Sequence, residues 1–461
     1  MDSIASQSNY LRPIRRLGEE RALMAIVSTL GFCLVAFMCW KSVHASDQPP
    51  NILLVIADDM GIDASPCYPV GKQKPNMPVL EGMCRTGVVF ENVWSNPECS
   101  PTRATILTGR YGIRTGVRSA VLATGGTGIR LDELSIHRLL DQRLKSRYAH
   151  AVIGKWHLSD GDNGGPNNPE LMGIGHYSGL IKSGHDDYWK WNRTQDGESR
   201  LVEDYSTSVF TTEAIEWLGK QDKPWFLWLA YTAPHGPFHL PPATLHTRHD
   251  LAGTNRDIAV NPLPYYLAML EALDSELGRL LSSLPPEQRE NTVVIFVGDN
   301  GTPDEVVQLP FRSYQAKSTI FEGGIHVPLI VAGARVARKG QRETALINTT
   351  DLFATIADLA GASVTQYGDS ISFTHLLVDT SGPQRSFIYA EFHDQHRDWG
   401  NAWAIRDGRH KLIEFESGGQ RLFDLIEDPS EEQDLLHTNP TVNIQAIADN
   451  LAQAASELRK K

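Results

Sequence analysis

The chain has 461 residues and a formal net charge of −12 at pH 7. That length exceeds one ordinary core and predicts a large domain with a smaller one. The acidity excludes a nucleic-acid partner, which needs clustered Lys and Arg, and the mixed composition without low-complexity tracts excludes a fibrous or disordered chain.

Arg12, Arg15, Arg16 and Arg21 precede an apolar run over 22–40, and Val43-His44-Ala45 offers small residues before Ser46. Residues 1–46 therefore read as a signal peptide or an uncleaved membrane anchor, with cleavage slightly favoured. On either reading the rest of the chain is exported (periplasmic, secreted or anchored facing outward) and meets a membrane only through this segment. Of five cysteines, Cys33 and Cys39 lie inside the apolar run. Cys67 and Cys84 can pair in an oxidising compartment, which leaves Cys99 over and in need of an explanation.

From residue 51 the pattern is α/β. Residues 51–57 form an unbroken apolar run, as in a strand buried on both faces of a parallel sheet, and end in Asp58-Asp59. The pattern recurs at 148–153, running into Gly154-Lys155-Trp156-His157, at 225–231, running into Ala233-Pro234-His235, and at 292–297, running into Gly298-Asp299-Asn300-Gly301. Residues 328–332 are a further strand. Apolar spacing predicts helices over 135–143, 207–219 and 265–284, and a helix from 351 stopped by Gly361. Alternating strands and helices imply a mainly parallel central sheet with its ligand site at the carboxyl ends of the strands. Beyond it, short alternating runs at 386–392, 402–405, 410–414 and 422–425, then a helix near 443–458, predict a small antiparallel sheet with a terminal helix. The division is 1–46, a large domain over 47–365 and an α+β subdomain over 366–461.

Four strand ends thus deliver carboxylates, a lysine or histidines. Asp58, Asp59, Asp299 and Asn300 are hard oxygen donors of the kind calcium or magnesium takes, and adjacent buried carboxylates repel unless a cation joins them. Calcium is preferred, with magnesium the alternative; no Cys–His cluster supports zinc. Arg103, Lys155, His157, His235 and Lys317 add a basic ring suited to an oxyanion. His150, His239 and His326 read as bystanders. Cys99-Ser100-Pro101-Thr102-Arg103 sits where a loop turns into a helix, with Pro101 suited to the first turn.

That stretch, with Thr108-Gly109, closely resembles the activation signature of the type I, formylglycine-dependent sulfatases of the alkaline phosphatase-like superfamily. The resemblance takes in the four strand-end motifs above, Glu322-Gly323-Gly324 and Leu422-Phe423-Asp424-Leu425, nearly all of the exported chain. It implies a sulfuric ester hydrolase with its catalytic domain over 47–365. It also implies that formylglycine-generating machinery converts Cys99 to formylglycine (3-oxoalanine), which joins Asp58, Asp59, Asp299 and Asn300 as a metal ligand. One hydroxyl of the hydrated aldehyde then attacks sulfur, and the second loses a proton to expel sulfate. By the same resemblance Arg103 and Lys155 hold the formylglycine, His157 is the base, and His235 and Lys317 bind sulfate and assist the leaving oxygen. The expected partner is a sulfated carbohydrate or other sulfated small molecule, with aryl sulfates second. A phosphonate monoester hydrolase or phosphodiesterase of the same superfamily is the alternative, since one scaffold supports several chemistries.

The chain departs from that pattern at Arg147, His150, Ser159 and His326, and at Glu98, where the family has an apolar or small residue. The stretch 160–199 is rich in Gly, Asn, Asp and aromatics, including His185, Asp186, Asp187, Trp189 and Trp191. Its tryptophans either stack on a sugar ring or pack the loop itself.

Overall fold

The apolar runs become the centre of a ten-stranded sheet. In chain order its strands are β1 (Asn51–Ala57), β2 (Val88–Trp94), β3 (Ala149–Lys155), β4 (Tyr177–Leu180), β5 (Trp191–Gln195), β6 (Glu198–Val202), β7 (Trp225–Tyr231), β8 (Thr292–Gly298), β9 (Leu329–Gly333) and β10 (Gln341–Asn348). Across the sheet they run β10-β2-β9-β8-β1-β7-β3-β4-β5-β6. The computed structural model describes residues 49–122, 127–393, 400–438 and 440–460. The segment read as a signal peptide or anchor lies outside them. No helix among the described residues is long and apolar enough to cross a membrane.

β1 pairs in parallel with β7 and β8, and β3 in parallel with β7 and β4. Successive residues of β1 enter opposite cores. Ile52, Leu54 and Ile56 join one apolar cluster, while Leu53, Val55 and Ala57 join the other. A strand that must fill both sides has no polar face, which is why its sequence is an unbroken run. One layer of helices comprises Cys99–Thr108, Ile136–Leu144 and Leu352–Leu359; the opposite layer comprises Pro78–Thr86, Ser206–Leu218 and Leu263–Ser283. The sheet is mixed, because β9 lies antiparallel to both β8 and β2. The run at 328–332 could not show its direction.

A second, four-stranded antiparallel sheet is formed by β13 (Ile388–Phe392), β14 (Ala402–Arg406), β15 (His410–Phe415) and β16 (Gln420–Asp424), after a short β11–β12 hairpin at Gln366–Tyr367 and Ser370–Ile371. The helix Val442–Lys460 covers it through Ala448, Leu451 and Ala455. Its other face packs Ile388, Ala404 and Phe423 against Trp94, Ile320 and Ile325 of the large domain. At that seam the fully buried Lys411 ammonium lies 3.1 Å from Glu322 and 2.7 Å from Glu431. Such a buried triad is costly to desolvate and fixes how the two parts meet. Cys67 and Cys84 form a disulfide, and Cys99 is a buried free thiol.

Candidate active site

β3, β7, β1 and β8 are consecutive and parallel, so their carboxyl ends share one rim of the sheet. Asp58 and Asp59 follow β1, Lys155 closes β3 with His157 just beyond, His235 follows β7, and Asp299 and Asn300 follow β8. Asp59 (φ 72°) and His157 (φ 57°) adopt left-handed backbone, a strained choice for residues with a Cβ. Gly301 permits a close backbone contact, since a Cβ there would lie 1.9 Å from the Gly323 carbonyl oxygen. The Gly298–Gly301 and Glu322–Gly324 motifs are thus two halves of one junction, closed by the Gly301 N–H donating to Gly324 O at 2.8 Å.

Cys99 is the first residue of a helix whose sequence looks solvent-facing yet is buried throughout. The threonine hydroxyls are satisfied locally: Thr102 Oγ1 donates to Glu98 O, Thr105 Oγ1 to Thr102 O and Thr108 Oγ1 to Ala104 O. Pro101 falls in the first turn, where its missing N–H has no intrahelical partner. Gly109, at φ 68°, closes the other end with an N–H bond to Thr105 O.

The side chains form one buried charge web. Lys155 Nζ lies 2.5 Å from Asp58 Oδ2 and 3.3 Å from Cys99 Sγ. Arg103 donates Nε and Nη2 to Asp299 Oδ2 at 3.0 and 2.7 Å and Nη1 to Lys155 O at 2.7 Å. Lys317 Nζ lies 2.7 Å from Asp59 Oδ2. Burial raises the Asp59 carboxyl, but Lys317, His235 and Lys155 outweigh it and hold it below the ordinary range. Lys317 in turn is kept charged by Asp59 against its own burial. Burial, reinforced by Asp58, pushes the Cys99 thiol far up, so an unmodified thiol here is protonated and a poor nucleophile.

A cation fits this cluster. One ligand atom from each of Asp58, Asp59, Cys99 and Asp299 lies within 4.8 Å of all the others. Asp58 Oδ1 and Asn300 Oδ1 are buried without a hydrogen-bond partner, a costly state unless something else coordinates them. Burial and Asp299 push Asp58 up to about 7 despite Lys155 and Arg103, so its carboxylate lacks sufficient positive charge. The donors are oxygen-rich, as hard divalent cations require.

Two neutral histidines flank the web as different tautomers. His157 Nε2 lies 3.1 Å from Val121 O and so carries the proton. Its Nδ1 is buried with no partner, and burial with Lys155 and Arg103 keeps the ring neutral, leaving a free lone pair. His235 Nδ1 lies 2.8 Å from Gly236 O and Nε2 lies 3.9 Å from Asp59 Oδ2. Burial pushes His235 down to about 4, although Asp59 pulls the other way.

Every site residue expected from sequence is therefore brought into one region. Sequence reading missed what holds them there. Glu98 is engaged outside the aspartate cluster: Oε2 accepts from Ala120 N at 2.6 Å and Oε1 from Ser318 Oγ at 3.0 Å. Ser318, in left-handed backbone at φ 64°, also donates its N–H to Pro97 O. Ser100 Oγ donates to His157 O at 2.8 Å and lies 3.0 Å from Val121 N. Glu98 and Ser100 thus join the Cys99 helix to the segments carrying Lys317 and His157. His326, the other notable departure, pairs with Glu322 at 2.9 Å. His239, read as a bystander, sits in an aromatic cluster beside the His235 segment. A groove of about 1130 Å³ lies elsewhere, along Arg193, Glu213 and Trp217, and contains none of the expected site residues.

The sulfatase family profile matches residues 50–362, and the C-terminal profile of N-sulphoglucosamine sulphohydrolase matches residues 312–461. Arylsulfatase G of Homo sapiens is 28% identical over 478 residues, spanning 94% of this chain and 87% of that protein. N-acetylgalactosamine-6-sulfatase of Sus scrofa is 29% identical over 382 residues, spanning 74% of this chain and 68% of that protein. The crystal structure of Ps i-CgsB superposes with a TM-score of 0.76 at 25% identity, covering 89% of this chain and 93% of that one, and it has also been solved in complex with k-i-k-neocarrahexaose. Phosphonate monoester hydrolase of Agrobacterium radiobacter shares the fold, with a TM-score of 0.66 at 21% identity over 89% of this chain and 95% of that one. A family profile that spans β1 to beyond the helix Leu352–Leu359 leaves one assignment: the chain belongs to the sulfatase family of the alkaline phosphatase-like superfamily.

Proposed function

We propose that this chain hydrolyses a sulfate ester of a carbohydrate, with aryl sulfates as secondary substrates, using formylglycine made from Cys99 and one divalent cation, calcium in preference to magnesium. The observation that carries the reading is the buried cluster in which Cys99 Sγ meets Lys155 beside the unpartnered oxygens of Asp58 and Asn300. Asp58, Asp59, Asp299, Asn300 and the converted Cys99 would hold the cation, which supplies positive charge for the sulfate oxygens. The hydrated aldehyde of formylglycine supplies the attacking hydroxyl and a second hydroxyl whose deprotonation releases sulfate.

The remaining work falls to the chain's own side chains. Lys155 already bridges Asp58 and position 99, so it holds an oxygen at that position. Arg103 fixes Asp299 and the Lys155 carbonyl together. His157 presents an unoccupied Nδ1, as the base that takes the proton in the release step must. Lys317 contributes permanent charge to the sulfate. His235 is neutral before substrate arrives; an incoming anion favours its protonated form, which then donates to the leaving oxygen.

Formal charges support an anionic substrate. Asp58, Asp59 and Asp299 face Arg103, Lys155 and Lys317, so a divalent ion leaves the cluster with excess positive charge. The buried position of Cys99 means that the formylglycine-generating machinery must act before the chain closes around it. The Cys67–Cys84 disulfide supports an exported protein, in keeping with the signal peptide or anchor read in residues 1–46.

Rates on sulfate and phosphate monoesters and phosphonates of one leaving group test the reading. Sulfatase chemistry requires the highest kcat/KM on the sulfate ester; higher specificity for the phosphorus ester would make the enzyme a phosphonate monoester hydrolase or phosphodiesterase instead. Mass spectrometry of the peptide containing Cys99, from active enzyme, should show conversion to the aldehyde. Full activity with an unmodified thiol would remove the proposed nucleophile.

Glu98 gives a further prediction. Glu98→Ala should lower kcat by about 100-fold, the scale of a small misplacement of reacting groups. Glu98→Gln, which can still accept from Ala120 N, should recover most of it. Equal losses in both variants would show that the hydrogen-bonding shape of this residue does not matter.

A further inference from the structure

The segment 181–191, which leads from β4 into the first residue of β5, sorts its aromatic side chains. Tyr188 and Trp191 are 1% and 4% exposed and pack the interior, whereas Trp189 between them is 37% exposed. A single exposed indole is ordinary by itself; what sets Trp189 apart is how it is held.

Trp189 is held, but from one side. Its ring meets His239 edge to face at 4.9 Å and Tyr205 at 5.0 Å. His239 is itself fixed, with Nδ1 3.0 Å from Pro237 O and Nε2 3.1 Å from the Tyr205 hydroxyl. Beneath it lies the Tyr188 ring at 4.2 Å. The Tyr188 hydroxyl reaches His235 O at 2.6 Å and Thr232 O at 3.0 Å. A continuous chain of rings and hydrogen bonds therefore ties the indole to the backbone of His235. The same loop touches His235 at its other end, because Gly184 lies against the imidazole so closely that a Cβ there would sit 2.9 Å from the ring. Between these two contacts the loop exposes Asp186 and Asp187, and Asp187 Oδ1 accepts from the Trp189 backbone N–H at 2.7 Å.

A rigid exposed aromatic face flanked by carboxylates has the chemistry of a sugar subsite. The C–H face of a pyranose carries partial positive charge and suits the negative face of an indole, and ring hydroxyls donate to carboxylates. Preorganisation lowers the ordering cost of binding. We propose that Trp189, braced by His239 and Tyr205 and flanked by Asp186 and Asp187, binds the sugar next to the sulfated one, so that the enzyme prefers sulfated oligosaccharides over single sulfated rings. This rests on the sulfatase reading above and adds which carbohydrates the same site selects. Trp189 is a specificity determinant and takes no part in sulfate transfer.

The test compares matured full-length wild type, Trp189→Ala and Trp189→Phe. The probes are 4-nitrophenyl sulfate, sulfated monosaccharides, and size-fractionated oligosaccharides from carrageenan, chondroitin sulfate and heparin. Wild type should have a higher kcat/KM on at least one oligosaccharide than on its sulfated monosaccharide. Trp189→Ala should lose about tenfold to hundredfold on that oligosaccharide, mainly through KM, the scale of removing one aromatic anchor. Its activity on 4-nitrophenyl sulfate should stay within about twofold, and Trp189→Phe should restore most of the loss. Equal losses on the oligosaccharide and on 4-nitrophenyl sulfate, no loss on either, or no preference for any oligosaccharide would each overturn the subsite. Failure of the sulfatase reading itself would look different, with no sulfate ester turned over by wild type at all.

Discussion

Cys99→Ala should abolish sulfate-ester turnover, by on the order of 10⁶-fold, while leaving the protein folded; that scale belongs to the loss of a covalent nucleophile. The two halves of the expectation have separate causes. Turnover fails because no other side chain in the cluster can both bond to sulfur and release it. The fold survives because the side chain at position 99 is small in a core made by ten strands, and its contact with Lys155 is secondary to the ion pair that Lys155 makes with Asp58. The stability cost should be about 1 kcal/mol, the usual size for a point change. Cys99→Ser sharpens the result. In a preparation whose residue 99 mass spectrometry shows to be an unconverted hydroxyl, product should stop at or below one equivalent per enzyme. A serine sulfate has no second hydroxyl on the same carbon through which to eliminate. Sustained turnover by unconverted serine would contradict the hydrate mechanism, and an unfolded Cys99→Ala protein by circular dichroism would show that position 99 carries structure as well.

The strands that carry the candidate site were legible in the sequence because parallel strands state themselves plainly. β1 and β7 are two-faced strands, so their runs carry no polar interruption and end sharply where chemistry begins. β2 was not legible for the opposite reason: Glu91 and Asn92 interrupt it with half-exposed side chains. β10 was hidden likewise, since its first residues are exposed and its apolar part is short. The direction of β9 is set by the neighbours it pairs with, which local pattern does not contain. The start of the helix bearing Cys99 was legible through Pro101, but its full burial was not, because internal hydroxyl bonds let a polar sequence go inside. Glu98 shows the limit most clearly. In the sequence it stands only as a departure from the family pattern. Only its partners, Ala120 and Ser318, distant in sequence, explain it as a brace.

Arg103→Met should be the most destabilising single change at the rim, and its size should depend on divalent cation. Arg103 is fully buried and gives three hydrogen bonds, two of them to Asp299, with Asp58 Oδ1 3.8 Å away. Removing one partner of a buried ion pair leaves the other uncompensated, at about 3–5 kcal/mol. In chelator the variant keeps Asp58 and Asp299 close together with less opposing charge, so the full cost is expected. Bound calcium supplies that charge to the same carboxylates, so calcium should raise the stability of Arg103→Met by more than it raises that of wild type. Lys317→Met is the control, because Lys317 is partly exposed at 18% and its loss leaves Asp59 still bonded to Asn300 at 2.8 Å. It should cost activity with a smaller loss of stability. Thermal unfolding of the three proteins, in chelator and in calcium, separates the cases. A calcium effect no larger in Arg103→Met than in wild type would mean that Asp58 and Asp299 do not bind the ion, and the cluster would then be an ion-pair network whose unpartnered oxygens need another occupant.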